Sequence, residues 1–165
     1  MPSIKPYNRS DAIAYATQWA LSRNPRFFDF TNLGGDCTNF ISQCVYAGSK
    51  VMNFRKTFGW YYNSPTDRTP SWTGVTYFYN FMTTNKLRGP FASEVDLTNI
   101  IPGDVIQLRN IAGEWYHNLM VVEIRGELSV DTVLIAAHDF NALRRPLGTY
   151  SFASFRCLHF EGVYI

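Results

Sequence analysis

Residues 117–140 read HNLMVVEIRGELSVDTVLIAAHDF. Two runs of β-branched and apolar residues, HNLMVVEI and TVLIAAHDF, flank the polar, glycine-containing segment RGELS. Runs of this kind pack as strands, and the segment between them supplies a turn. The pattern predicts an antiparallel hairpin. Opposed residues in a hairpin have a constant index sum, so the simplest register is centred between Glu127 and Leu128. That register sets His117 beside His138 at one end of the sheet. A longer loop slides the pairing by one or two residues and brings Asp139 or Asn141 nearer His117.

The first third of the chain has helical spacing instead. In NRSDAIAYATQWALSRNP, Asn8 or Ser10 can cap a helix and Asp11 sits in its first turn. Ala12, Ala16, Trp19 and Ala20 form its apolar stripe, and Asn24-Pro25 ends it. Residues 26–36 form a loop closing on Gly34-Gly35. CTNFISQCVYA is a second helix with Gly48 as its C-terminal cap. Its stripe is Phe40, Ile41, Cys44 and Val45, and Cys37 lies on the same edge. Residues 49–75 read as a long aromatic loop over a surface or beside a cleft. WTGVTYFYNFMTTN is a short third helix, with Val75, Phe78 and Met82 inward. In IIPGDVIQL, Pro102-Gly103 turns the chain into a strand. The tail YSFASFRCLHFEGVYI adds another. Helices followed by strands predict one α+β domain over residues 1–165, with N-terminal helices packed on an antiparallel sheet.

Composition excludes several classes of function. The net charge is +2, and no run of Lys and Arg exceeds two residues, so nothing points to nucleic acid. No apolar run approaches the roughly 18 residues of a membrane span. The polar N-terminus carries two prolines and is not a signal peptide. Either the protein is made without one, or this is the mature domain of an envelope-associated protein. Three cysteines make no disulfide framework. No CxxC, HExxH, His-x-His or GxSxG occurs, so no metal, cofactor or serine triad is expected. Aromatic residues reach 16%. That excess builds a dense core or lines a cleft, and Trp60, Tyr61, Tyr62 and Trp72 are candidates for a cleft wall.

Cys37 carries the chemistry. A thiol is a poor nucleophile until it is a thiolate, and a helix N-terminus favours the negative charge. Gly34-Gly35 lets a substrate approach the backbone. The N–H of Cys37 can face a developing oxyanion. A cysteine there can also simply fill the core, as Cys44 does. The histidines tilt the balance: a base needs a partner on its second nitrogen, and His138, Asp139 or an asparagine beside His117 can serve. His159, next to a terminal strand, is structural.

GGDCTNFISQCVYAG resembles the nucleophile motif of a bacterial amidase-domain family, with its Asp-Cys-Thr-Asn-Phe run followed by Ser-Gln-Cys. YNRSDAIAYATQWAL, IPGDVIQL, WYHNLMVV and AAHDFNALRRPL resemble that family's opening helix, Pro-Gly-Asp turn, histidine strand and later histidine-plus-acid stretch, in the same order. The family is similar to the papain-like NlpC/P60 and CHAP cysteine hydrolases. The resemblance implies a papain-like fold, Cys37 as nucleophile and His117 as base. His138 occupies the position of the third catalytic member, and Asp139 follows at once, so that role stays open between them. Asp36 and Tyr116, beside the nucleophile and the base, join Trp60 and Trp72 as expected substrate contacts. Relatives often have a small residue after the base histidine; Asn118 stands there and is expected to alter the rim. The implied activity is hydrolysis of an amide through a thioester, with a cell-wall peptide as substrate class by analogy. Acyl transfer by the same residues, a non-catalytic glycan- or peptide-binding module, and an effector with the same fold are the competing readings. Oligomeric state is not legible.

Overall fold

The alternating apolar residues of the C-terminal half build one antiparallel sheet that is buried on both faces. A computed structural model describes residues 2–165. Its elements are β1 (Ile4–Lys5), α1 (Arg9–Trp19), α2 (Cys37–Ser49), β2 (Tyr62–Ser64), β3 (Asp67–Arg68), α3 (Pro70–Thr73), α4 (Val75–Thr84), β4 (Gly89–Val95), β5 (Val105–Arg109), β6 (Trp115–Ile124), β7 (Val133–Ala137), β8 (Ala142–Pro146) and β9 (Ser154–Tyr164). The sheet runs β1-β9-β5-β6-β7-β8, with β4 also paired to β9, while β2 and β3 form a separate hairpin. The fold is α+β, with the helices gathered on one face of the sheet.

Side-chain alternation divides the sheet cleanly. Val105, Met120, Ala136 and Leu158 join the helices in one core. Ile106, Leu119, Val121, Ile135, Ala137 and Cys157 form a second core on the other face, closed by Ile100, Leu147 and neighbouring loop residues. Each fully buried Val, Leu or Ile contributes roughly 1.5–3 kcal/mol.

The predicted hairpin is β6–β7, but its register differs by one residue. Met120 stands opposite Ala136 and Val121 opposite Ile135. The turn forms later than the glycine suggests. The Ser129 and Thr132 side chains bond local backbone groups there: Thr132 Oγ1 accepts from the Ser129 N–H and Ser129 Oγ from the Asp131 N–H. A bulge between Val121 and Glu123 takes up the remainder. Carried past the end of the ladder, this register aligns Asn118 with His138 and His117 with Asp139. A one-residue slip also reverses faces. His138 shares the helix side with Ala136, while His117 shares the other side with Leu119 and Val121.

Other elements depart from expectation for local reasons. Helix α1 is capped by Asn8, whose side chain accepts from the Asp11 N–H, but it ends at Trp19, short of Asn24-Pro25. Gly48 lies inside α2, and the left-handed cap is Lys50 at φ 57°. The glycine is needed for packing: a Cβ there would lie 2.7 Å from Tyr7 Cε1 and 2.8 Å from the Asn8 carbonyl oxygen. The expected third helix is two, α3 and α4, separated at Gly74. Strands β1, β4 and β8 have weak sequence signals and exist through pairing with β9 and β7. Within residues 49–75, Trp60 and Trp72 are fully buried and Tyr61 and Tyr62 nearly so, which makes them core rather than cleft wall.

The Pro-Gly-Asp turn ties the sheet to α1. Buried Asp104 accepts from Arg9 Nη1 at 2.7 Å, the Phe160 N–H at 3.0 Å and the Ile101 N–H at 3.0 Å, and its carboxylate meets His159 Nδ1 at 2.8 Å. Replacing it by alanine strands these donors. Asp104→Ala is expected to lower unfolding free energy by roughly 3–5 kcal/mol in urea titrations. A loss below about 1 kcal/mol would mean that water replaces the carboxylate.

Candidate active site

Helix α2 is buried at every residue but Tyr46, so the polar residues of CTNFISQ need partners inside the protein. They have them. Thr38 Oγ1 accepts from Asn118 Nδ2 at 3.0 Å. Asn39 donates to the Phe28 carbonyl and to Asp36, and accepts from Trp72 Nε1 at 3.0 Å. Ser42 donates to the Trp72 carbonyl and accepts from Trp60 Nε1 at 3.2 Å. Gln43 Oε1 accepts from the Tyr15 hydroxyl. The motif is thus a docking code for the aromatic loop and β6, and the two tryptophans are its readers.

Asp36 stands at the helix start without capping it. Its fully buried carboxylate turns away to accept the Phe30 N–H at 2.8 Å and Asn39 Nδ2 at 2.9 Å, and to meet His138 Nδ1 at 2.5 Å. Nε2 of His138 faces the Trp19 carbonyl at 2.8 Å, and its ring stacks on Phe40 at 3.9 Å. Both ring nitrogens are thus engaged by oxygen partners. His138 therefore joins the end of α1 to the start of α2. It does not stand behind His117, because the register turns it to the helix side. Asp36, equally enclosed, has no surface to offer a substrate.

The cap of α2 comes from far along the chain. Asp139 accepts the Asp36 N–H at 2.9 and 3.0 Å and the Cys37 N–H at 3.2 Å. Asp139 and Phe140 occupy the β7–β8 turn with φ of 59° and 62°, a conformation that two-residue hairpin turns require. Gly35 makes the approach possible: a Cβ there would lie 2.7 Å from Asp139 Oδ2. The glycine expected to admit substrate admits this carboxylate.

Cys37 is 7% exposed. Burial pushes its thiol up to about 11, aided by the negative charge of Asp139 and opposed by the Thr38 side chain and the N–H groups of Asn118 and Thr38. His117, on β6, is held down at about 4, chiefly by burial and further by Arg145, while Asp139 acts in the opposite sense. Cys37 therefore rests as a thiol and His117 as a neutral imidazole. Cys37 opens on a cavity of about 310 Å³ lined by Gly34, Gly35, Thr73, Tyr77, Trp115, Tyr116 and Asp139 among others. His117 opens on a second, of about 340 Å³, with Tyr116, Asp139, Phe140, Arg145, Tyr150 and Ser151. Tyr116 and Asp139 belong to both. Tyr116 is 40% exposed at this rim and donates its hydroxyl to the Ser151 carbonyl. Asn118, expected at the rim, is instead buried against α2. Sequence reasoning missed Arg145 and Tyr150, which only the β7–β8 pairing brings to His117.

Among the described residues, no cluster of three or more His, Cys, Asp or Glu side chains could hold a metal ion, and all three cysteines are free. No described helix is long and apolar enough to cross a membrane.

A family model described as "Putative amidase domain" matches residues 6–159. "Uncharacterized protein YhbB" of Bacillus subtilis (strain 168) is 34% identical over 103 residues, covering 61% of this chain and 32% of that protein. The match thus takes in about a third of that relative's length. No solved structure matches.

The burial of His117 has a pH signature. Its folded value, about 4, lies below the ordinary 6.5, so between these values the unfolded chain binds more protons. Stability attributable to His117 is present above pH 6.5 and is lost as pH falls toward 4, by on the order of 3 kcal/mol. The stability gap between wild type and His117→Gln should therefore shift with pH across this window. A gap independent of pH would show that burial does not keep the ring neutral.

Proposed function

This chain belongs to the amidase-domain family whose model spans residues 6–159, and from that premise we propose that it is a cysteine amidase acting through a thioester. The family description points to amide hydrolysis in general; the cysteine mechanism is our reading. One observation carries it: a carboxylate oxygen rests on the Cys37 N–H at 3.2 Å, where an oxyanion would be held. The N–H of Asn118 favours the thiolate, and His117 immediately precedes Asn118 on the same strand.

In this mechanism the substrate carbonyl oxygen displaces Asp139 from the Cys37 N–H. Withdrawal of that negative charge eases ionisation of the thiol. Neutral His117 takes the proton, the sulphur attacks the carbonyl carbon, and the N–H holds the resulting oxyanion. His117⁺ then protonates the leaving amine as the C–N bond breaks. Water, deprotonated by His117, attacks the thioester, and the carboxylic acid leaves as Cys37 regains its proton. Asp139 serves as the third member by charge rather than through a hydrogen bond, since it favours protonation of His117. A helix presenting its N-terminal cysteine to an antiparallel sheet fits a papain-like relationship, and by that analogy a cell-wall peptide is the proposed substrate class.

Cys37→Ser should remove amide turnover by about a thousandfold or more while leaving the thermal midpoint nearly unchanged. Retained turnover would sink the nucleophile assignment. Alkylation of Cys37 by iodoacetamide should accelerate as pH rises toward 11, and Asp139→Asn should accelerate it further at fixed pH, because one repelling charge is gone. An unchanged or slower rate in that variant would count against the role given to Asp139.

A further inference from the structure

The second cavity holds an arginine that forms no ion pair among the described residues. Arg145 is partly buried and lies beside His117. Its Cζ sits 3.7 Å from the Tyr150 ring centroid, and Nε and Nη2 donate to the Thr149 hydroxyl and carbonyl at 2.7 and 3.0 Å. The guanidinium is thus pinned in orientation, yet no carboxylate pairs with it among the described residues. The one acid in the cavity, Asp139, spends its oxygens on the N–H groups of Asp36 and Cys37. The Tyr150 hydroxyl in the same cavity is buried without a hydrogen-bond partner among those residues. Burial raises its pKa, with the adjacent Arg145 guanidinium opposing, so it stays a protonated donor.

The backbone is shaped to put Arg145 there. Strand β8 pairs Leu143 with Ala136 and Arg145 with Ile135, so Arg144 is an extra residue between them, in a left-handed conformation at φ 56°. Without the bulge, Arg145 would follow Leu143 in phase and stand with Leu134 and Ala136, on the helix side. The bulge moves it to the face of Ile135, which is also the face of Val121, Leu119 and His117. Bulges that re-aim a side chain beside a site recur, and a left-handed arginine is retained only where the surroundings demand it.

We propose that Arg145 determines specificity by binding a carboxylate on the leaving-group side of the scissile amide, with the Tyr150 hydroxyl as a second donor. The side follows from the cavity: His117, which hands its proton to the leaving amine, lines it, whereas the Cys37 cavity lies across Tyr116. This assignment of side rests on the mechanism proposed above. A planar guanidinium already held on two of its donors has its remaining donors oriented for a carboxylate. Phe140, 90% exposed at the tip of the turn, adds an apolar contact for the same residue of the substrate. The carboxylate is either the α-carboxylate of a terminal residue or the side chain of an acidic one.

The test measures binding to Cys37→Ser protein, which cannot turn over, by calorimetry. The probes are N-acetyl-alanyl-alanine, its C-terminal amide, and N-acetyl-alanyl-glutamyl amide. At least one acid should bind about tenfold tighter than the neutral amide. Preference for the first assigns an α-carboxylate and preference for the third a side-chain one. Adding Arg145→Gln should erase the preference, and Arg145→Lys, which keeps the charge but not the fork, should retain part of it. Equal binding of all three probes, or a preference that survives Arg145→Gln, overturns the proposal. The hydrolase reading fails separately: wild type that cleaves no amide but still prefers the acid loses the mechanism and keeps the Arg145 site. Wild type that cleaves acid and neutral substrates with equal KM keeps the mechanism and loses the site.

Discussion

The pairing of Asp36 with His138, 2.5 Å apart and closed to solvent, is the constraint on which the site depends. It joins three separate pieces of chain: the end of α1 through the Trp19 carbonyl, the loop before α2 through the Phe30 N–H, and the end of β7. A buried polar pair is only weakly stabilising in net terms, because desolvation offsets much of its attraction. Its value is geometric. With Asp36 turned toward His138, the first N–H groups of α2 are left uncapped, and the adjacent Asp139 fills them. Two consecutive residues of one turn thus hold the helix start, one from the side and one from the end.

The same economy of position governs the sheet. The one-residue slip of the β6–β7 hairpin assigns His138 to structure and His117 to the cavity side. The extra residue in β8 assigns Arg145 to the cavity as well. Neither change involves a residue with unusual chemistry. Each is a matter of phase in a structure whose side chains alternate with period two, so a single inserted residue exchanges the inside and outside of a strand.

The resting state is electrically quiet. Burial favours the neutral forms of both Cys37 and His117, and Asp139 holds the helix N-terminus that would otherwise favour a thiolate. A thiol protected in this way resists adventitious oxidation, since the reactive species is the thiolate. In the proposed mechanism the substrate takes over what Asp139 holds.

The α+β class, the two N-terminal helices, a cap at Asn8 or Ser10, the β6–β7 hairpin and the tail strand were legible in the sequence, because they rest on local apolar periodicity and capping chemistry. The positions of Cys37 at a helix start and His117 on an apolar strand were legible too, since a glycine pair before a helical cysteine and a histidine opening an apolar strand are local signals. Local signals failed where a residue's role depends on what meets it. Trp60 and Trp72 looked like a cleft wall, but the hydroxyl of Ser42 and the amide of Asn39 draw them into the core. Asp36 looked available to substrate, and Gly48 like a cap, until His138 and Tyr7 arrived against them. The hairpin's register turned on two side-chain hydrogen bonds in its loop, and Arg145 on one bulged residue. The sequence by itself determined the longer helices and strands, whose apolar periodicity is local, and where reactive groups lie along the chain. Only the tertiary structure decided which face each group looks out from, because that is set by register and by contacts between residues a hundred positions apart.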